Sequence, residues 1–596
     1  MTERVSMSTP RRARWAVKAL QFVGAGAVAS CAMQTTTTDT GKIDEHKEHP
    51  RGLYVLFGAE GWERFSYYGM RALLVLYMTR HLHFDRPHAL AIYAMYTGLV
   101  YLTPLAGGAL ADAILGRRKA VLIGGLLMAL GHLAMASESL LFYALGLLIV
   151  GNGFFKPNIS TIVGGLYGEN DARRDGGLTI FYMGINLGAF FSPIVCGYLG
   201  EKVGWHIGFS AAAVGMLAGL GVFVAWQRLL GDVGLPPDRA LTTEKAGDGA
   251  YRSGDVPGAP VAMLLRKDYI DVAVWVAGGV GVVVATLLSW RVIGPVWEGV
   301  GAIPRAALGL AFAGAVFFKL FRGSSSDEAQ RIAVIIVLCM FNIFFWMGFE
   351  QAGGTMTLFA DAQTDRSLGW GAMAVIVVAI LAAAVNIWSS TREQTHARGF
   401  WLAVSGLFVV AAAFVAAPGV KELLATGHYV IPAAQFQAIN PLLIVALGPL
   451  FSKMWISLDS GRLRTSTPTK MAIGMIVLGL GFIVMYLGQK LAGDHGTVSP
   501  SWLVAVYAIH TVGELCLSPI GLSMVTRLAP ARVGSLAMGL WFTSSAIANY
   551  LAGTLEEVLS HRHVPIYGFL VVSSIGPALL LLALTPILKK WMHGRE

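Results

Sequence analysis

The chain reads as an all-α polytopic membrane protein, and three observations carry that assignment. Of its 596 residues 55% are hydrophobic and 13% charged, with a mean hydropathy of +0.61, outside the range of soluble globular domains. Uncharged apolar stretches long enough to cross a hydrocarbon core recur along most of the sequence. The basic excess of +10 falls in short loops between them: Arg117-Arg118-Lys119, Arg173-Arg174, Arg462 with Arg464, and Lys589-Lys590. That is the positive-inside pattern, and it argues against a nucleic-acid partner. The cysteines Cys31, Cys196, Cys339 and Cys516 are far apart, which fits neither a disulfide framework nor a CxxC metal site. No GxSxG elbow or HExxH helix is present, so the reading is not an enzyme, with no cofactor and no metal.

Residues 1–50 open with a basic stretch, Arg11 to Lys18, and a small apolar run, Phe22 to Ala32. Two readings stand, a signal-like segment or a disordered extension with alternative starts at Met7 or Met33; the short, Gly/Ala-rich run favours the extension. Six apolar spans follow over 51–230: Leu53 to Met78, Ala89 to Ala113, Ala120 to Ala136, Leu140 to Tyr167, Leu178 to Gly200 and Ile207 to Leu229. The polar, Pro/Gly-containing stretch 231–269 reads as a cytoplasmic linker. Within 270–322, Val272 to Trp290 and Ala306 to Leu320 form a helical hairpin. The remaining spans, over 330–592, are Ile332 to Ala360, Ala372 to Trp388, Phe400 to Ala417, Ile431 to Leu458, Met471 to Leu487, Trp502 to Leu528, Val533 to Leu559 and Tyr567 to Trp591. The total is sixteen, and because surplus spans come in pairs both termini are expected to be cytoplasmic.

Charge inside these spans carries the functional argument, since an ionisable group in lipid costs several kcal/mol unless it pairs or lines a wet cavity. At about 100° per residue, Glu60, Glu63, Arg64, Tyr67, Tyr68 and Arg71 share one stripe of the first span, opposite Phe65, Ala72, Leu73 and Leu76. A structural Glu60–Arg64 pair at i,i+4 is the bland alternative, and four charges on one stripe exceed what a single pair explains. Lys156 precedes Pro157 and Asn158 in the fourth span, where the lysine can meet a carboxylate across the cavity, and Tyr182 and Asn186 lie in the fifth. Glu350 and Glu514 are lone carboxylates in later spans, without a Lys or Arg within one turn, so their partners come from elsewhere or they hold protons. Asp112 and Arg117 flank the loop after the second span, where they can pair.

Glu60-Gly-Trp-Glu63-Arg64-Phe65-Ser-Tyr-Tyr68-Gly69-Met-Arg71 resembles the ExxERFxYYG motif of the proton-dependent oligopeptide transporters, and Phe154-Phe155-Lys156-Pro157-Asn158-Ile159-Ser160 resembles their FxKPNIS signature. Phe345-Trp346 with Phe349-Glu350-Gln351, Gly513-Glu514-Leu515 with Ser518-Pro519, and Gln437-Ala-Ile-Asn440-Pro441 are similar to further motifs of the family. Gly108 to Lys119 is similar to the signature loop of the major facilitator superfamily.

The resemblance implies a major facilitator fold: two six-helix bundles around a cavity, with an extra hairpin between them. Ala372 to Ala417 departs from that plan and reads as a second, peripheral hairpin inserted in the C-terminal bundle. The implied function is a proton-coupled symporter importing di- and tripeptides by alternating access, in the cytoplasmic membrane of a bacterium and functional as a monomer. The alternative is a proton-coupled carrier of nitrate, an amino-acid conjugate or a drug. Proton coupling falls to Glu60, Glu63, Arg64, Lys156 and Glu350. Substrate contacts fall to Arg71 and Lys156 for a carboxylate, to Glu514 with Asn186 and Asn440 for an amino end, and to Ser518. Tyr68, Tyr101, Trp346 and Trp541 fall to the pocket walls, ordinary packing being the stronger alternative for Trp541. Asp112 and Arg117 fall to gating.

Overall fold

The computed structural model describes residues 48–168, 171, 173–235, 270–281, 283, 314, 316–390, 398–460, 465–493, 496–530 and 533–595. The expected N-terminal extension, almost all of the cytoplasmic linker, most of the inter-bundle hairpin and the turn 391–397 lie outside them.

In the first half of the chain the helices are α1 (Gly52–Leu76), α2 (Arg86–Leu102), α3 (Pro104–Leu110), α4 (Arg117–Ala134), α5 (Leu141–Gly165), α6 (Arg174–Tyr198), α7 (Trp205–Trp226) and α8 (Ile270–Gly281). In the second half they are α9 (Ser326–Phe349), α10 (Thr355–Ala362), α11 (Trp370–Ser390), α12 (Arg398–Thr426), α13 (Ile439–Ser460), α14 (Thr467–Ala492), α15 (Ser501–Leu528), α16 (Gly534–Ser560) and α17 (Ile566–Trp591). Local chemistry sets several boundaries. Asp85 caps α2 by accepting the His88 N–H at 3.2 Å, and Ser325 with Glu328 forms a reciprocal capping box at the start of α9. Pro104 divides the second apolar span into α2 and α3. The span from Ile332 is interrupted by a 3₁₀ turn at Glu350–Gly353 before α10, a break that hydropathy does not signal because the residues around it stay apolar.

Contacts fall into two compact units. The larger contains residues 50–366, 431–444 and 463–596. Within it α1 packs on α6 and α7, and α4 packs on α5 and α7; from the second half, α14 packs on α15 and α17, and α9 packs on α16 and α17. The two sets meet where α2 lies along α16 and where α6 meets the 3₁₀ stretch Ala433–Ala438. The apolar core runs through both, from Leu56 and Met70 to Phe345, Leu478 and Leu570.

The smaller unit groups residues 367–430 with 445–462. Here α11 packs against α12, and Ser405 donates to the Ala384 carbonyl at 2.8 Å. The pair is framed by a two-stranded antiparallel ribbon, β1 (Ser367–Leu368) with β2 (Tyr429–Val430), in which Ser367 faces Val430. At 29 residues α12 is longer than the 18-residue apolar stretch expected, since it continues through Pro418 to Thr426.

Among the described residues eight helices are long and apolar enough to cross a membrane. Helix α1 is not one of them, because its charges lower its hydropathy. Large apolar side chains such as Val214 (65% exposed), Leu491 (69%) and Val572 (69%) face outward, as a lipid-facing surface requires.

Candidate functional site

The stripe on α1 is buried: Glu60, Glu63, Arg64 and Arg71 are 1%, 0%, 2% and 7% exposed. Arg64 Nε lies 3.1 Å from Glu60 Oε1 and also donates to Glu63 Oε2, while its guanidinium lies 5.3 Å from the Tyr67 ring centroid. Two carboxylates therefore share one guanidinium, and the second oxygen of each, Glu60 Oε2 and Glu63 Oε1, has no protein hydrogen-bond partner. Such a cluster carries surplus negative charge in a low-dielectric setting, which a proton or a nearby cation neutralises.

Lys156 is the nearby cation. Its ammonium sits 4.5 Å from the Tyr101 ring centroid and acts electrostatically on both Glu60 and Glu63. No carboxylate lies within ion-pair distance of it among the described residues, so Lys156 does not meet a protein carboxylate in this conformation. Helix α5 delivers it just before Pro157, where Asn158 donates to the Phe154 carbonyl at 2.7 Å.

Arg71, two turns beyond Arg64, has a different partner. Its guanidinium pairs with Glu350 Oε2 and donates to the Tyr93 hydroxyl at 2.5 Å, and it lies 5.8 Å from the Tyr68 ring centroid. Glu350 is thus not a lone carboxylate: it opens the 3₁₀ turn that ends α9, and its partner comes from α1. The turn is crowded, since a Cβ at Gly353 would overlap the Tyr93 hydroxyl and stand 3.0 Å from Arg71 Nε. Gln351 ties the turn to α16 by donating to the Ala552 carbonyl at 2.8 Å.

A second carboxylate site lies in the other half. Asn440 Nδ2, near the start of α13, donates to Glu514 Oε2 at 2.9 Å and is 3.0 Å from Thr511 Oγ1. His510 does not join it, packing instead against the Phe482 ring at 4.6 Å. Asn186 donates one amide N–H to the Tyr182 carbonyl of its own helix at 3.0 Å, leaving its second N–H and its carbonyl as the groups it can offer. Trp346 stacks edge-on between Phe345 and Phe349, and Trp541 is buried in the main core. The Ser518 side chain lies outside the described residues. Asp112 and Arg117 pair at 2.9 Å on the surface, across a turn that Gly116 makes at φ +75°.

Hydropathy and motif spacing missed an ionic cluster at the far end of α1. Arg80 Nε donates to Asp361 at 2.6 Å and its Nη1 lies 3.2 Å from Glu201. Arg366 lies 3.1 Å from Asp361 and 3.4 Å from Glu201. Glu201 also accepts the backbone N–H groups of Ala433 and Ala434 at 3.1 and 2.9 Å. This cluster, with Arg86–Glu556 at 3.1 Å, ties segments of the first half of the chain to segments of the second at that end.

A family model described as the POT family matches residues 118–243 and 400–569. The chain is 35% identical over 565 residues to the uncharacterized transporter YclF of Bacillus subtilis, covering 92% of this chain and 96% of that one. It is 34% identical over 543 residues to the peptide transporter YePEPT of Yersinia enterocolitica, covering 88% and 90%. Among solved structures, a peptide transporter POT in complex with alafosfalin superposes with a TM-score of 0.67 at 32% identity, covering 95% of this chain and 99% of that one. A POT family transporter in complex with 5-aminolevulinic acid superposes with a TM-score of 0.67 at 28% identity, covering 94% and 99%. With relatives more than 30% identical over nine-tenths of its length and solved structures of the same major facilitator fold, the chain is a polytopic membrane transporter, not an enzyme, and it belongs to the POT family.

Proposed function

We propose that this protein is a proton-coupled symporter that imports di- and tripeptides across the cytoplasmic membrane of a bacterium by alternating access, with both termini cytoplasmic and the monomer as the working unit. The observation that carries the reading is the Arg71–Glu350 pair, a buried bond between α1 and the 3₁₀ turn after α9, two turns along α1 from the Glu60–Glu63–Arg64 cluster. A peptide carboxylate competing for Arg71 releases Glu350, and a proton arriving on Glu350 releases Arg71. Either event weakens the tie between the two halves, and the two together exchange one buried ion pair for another. The half-satisfied carboxylates Glu60 and Glu63 provide the second protonation site, with Lys156 free to enter as the cation.

The Asn440–Glu514 pair suits a peptide ammonium, which forms charge-assisted hydrogen bonds to the carboxylate. Recognition of both backbone ends, with aromatic walls such as Tyr68 and Trp346 between, tolerates varied side chains. The peptide transporters among the relatives support this substrate class. A second reading, an amino-carboxylate solute without a peptide bond, is favoured by the structural relative in complex with 5-aminolevulinic acid. Competition decides between them: a labelled dipeptide displaced by unlabelled di- and tripeptides and not by 5-aminolevulinic acid supports the peptide reading, and the reverse order supports the other.

A further inference from the structure

His81, Glu138 and His206 come from three separate segments and converge at one end of the first-half helices. His81 closes the π-helical turn after α1, Glu138 stands in the connection between α4 and α5, and His206 is the second residue of α7. Their ligand atoms all lie within 4.8 Å of one another. His81 Nε2 is 2.9 Å from Glu138 Oε1, and the two imidazole rings meet edge to face with centroids 5.6 Å apart. His206 Nδ1 is 3.3 Å from the Met135 carbonyl. A carbonyl accepts only, so this contact places the ring proton on Nδ1 and leaves the Nε2 lone pair free to bind, the arrangement that orients metal-ligating histidines. The Tyr77 ring stacks on His81 at 5.3 Å and meets His206 at 6.0 Å, fixing both imidazoles from beneath.

We propose that these three residues form a site for a divalent transition metal of the zinc class. Tetrahedral ligands held at about 2.0–2.1 Å from zinc stand about 3.3 Å from one another. The observed separations, from 2.9 Å to at most 4.8 Å, bracket that value, and Glu138 is exposed. Two imidazoles and one carboxylate leave a fourth position for water, which the surface location supplies. Motif reading predicted no metal because no two of these residues are close in sequence. All three belong to the first half of the chain, so a bound ion staples those helix ends together without tying them to the second half.

The test uses the full-length protein in detergent with any purification tag removed, titrated with Zn²⁺ against a chromogenic chelator and separately with Co²⁺. The expected result is one equivalent of zinc bound, a thermal midpoint that rises with zinc and returns with EDTA, and a Co²⁺ spectrum of low coordination number. Glu138→Gln and His206→Gln are each expected to weaken binding at least about 10-fold, whereas His561→Gln, at an exposed position elsewhere, leaves it unchanged. Binding of equal strength in His81→Ala/His206→Ala, or a Co²⁺ spectrum that stays that of the hydrated ion in the unaltered protein, overturns the proposal. The second outcome needs no variant, so misfolding of a mutant does not shield the claim.

Discussion

Arg71 and Glu350, 279 residues apart, are bonded to each other at the 3₁₀ turn that breaks the apolar span after α9. Neither partner has another ion-pair partner among the described residues, so each depends on the other. Removing one leaves the second as an uncompensated buried charge, which costs about 3–5 kcal/mol in typical proteins. Glu350→Gln is therefore expected to lower the thermal midpoint of the apo protein and to abolish gradient-driven accumulation while peptide counterflow persists. Unchanged accumulation by a correctly inserted variant would remove Glu350 from the coupling mechanism.

Glu63→Gln keeps the shape of the side chain and deletes its titratable group beside Arg64. Accumulation against a gradient is expected to fall at least about 10-fold, on the scale of one pairing interaction, with exchange of peptide down its own gradient surviving. Paired assays of driven uptake and counterflow separate these outcomes, and equal loss of both would mark Glu63 as structural only.

Arg71→Lys retains the charge and discards the planar fork that reaches Glu350 and Tyr93 together. Binding of a free dipeptide should weaken more than binding of the same peptide with its carboxylate amidated. Equal losses for both ligands would show that Arg71 does not hold the substrate carboxylate.

Much of this site was legible from the sequence. The i,i+4 pairing of Glu60 with Arg64 follows from helical geometry, and Asp112 with Arg117 from a short loop. What the sequence did not reveal is which distant groups meet: Tyr93 for Arg71, Arg71 for Glu350, and Asn440 for Glu514 depend on how helices far apart in the chain pack. The Arg80–Glu201–Asp361–Arg366 cluster was missed for the same reason, since each member looks like an ordinary charge at a span end. Lys156 was expected beside a carboxylate and instead lies over Tyr101, a contact that spacing cannot distinguish from an ion pair.

The Arg80–Glu201–Asp361–Arg366 cluster predicts a conformational bias. Glu201 holds two guanidinium groups and two backbone N–H groups, so Glu201→Gln should open that end of the transporter more often. Labelling of a single cysteine introduced at the buried Ala433 should become several-fold faster in Glu201→Gln than in the same cysteine variant without it. Equal labelling rates would show that the cluster does not hold that end closed.

The inserted pair α11–α12 begins and ends at a ribbon whose strands face each other, Ser367 with Val430. Its excision therefore requires only a short bridge, and it carries none of the transport motifs. A variant lacking Leu368 to Thr426, rejoined by a short polar linker, is expected to retain peptide uptake with a lower thermal midpoint. A correctly inserted deletion protein that cannot transport would place the hairpin inside the mechanism.

Uptake of a labelled dipeptide into liposomes containing only this protein tests the central claim most directly. With an inward proton gradient imposed, the account predicts accumulation above the external concentration, abolished by an uncoupler and proportional to the gradient. Equilibration to the external concentration with or without the gradient would contradict proton coupling, and no uptake of any dipeptide by active protein would contradict the substrate.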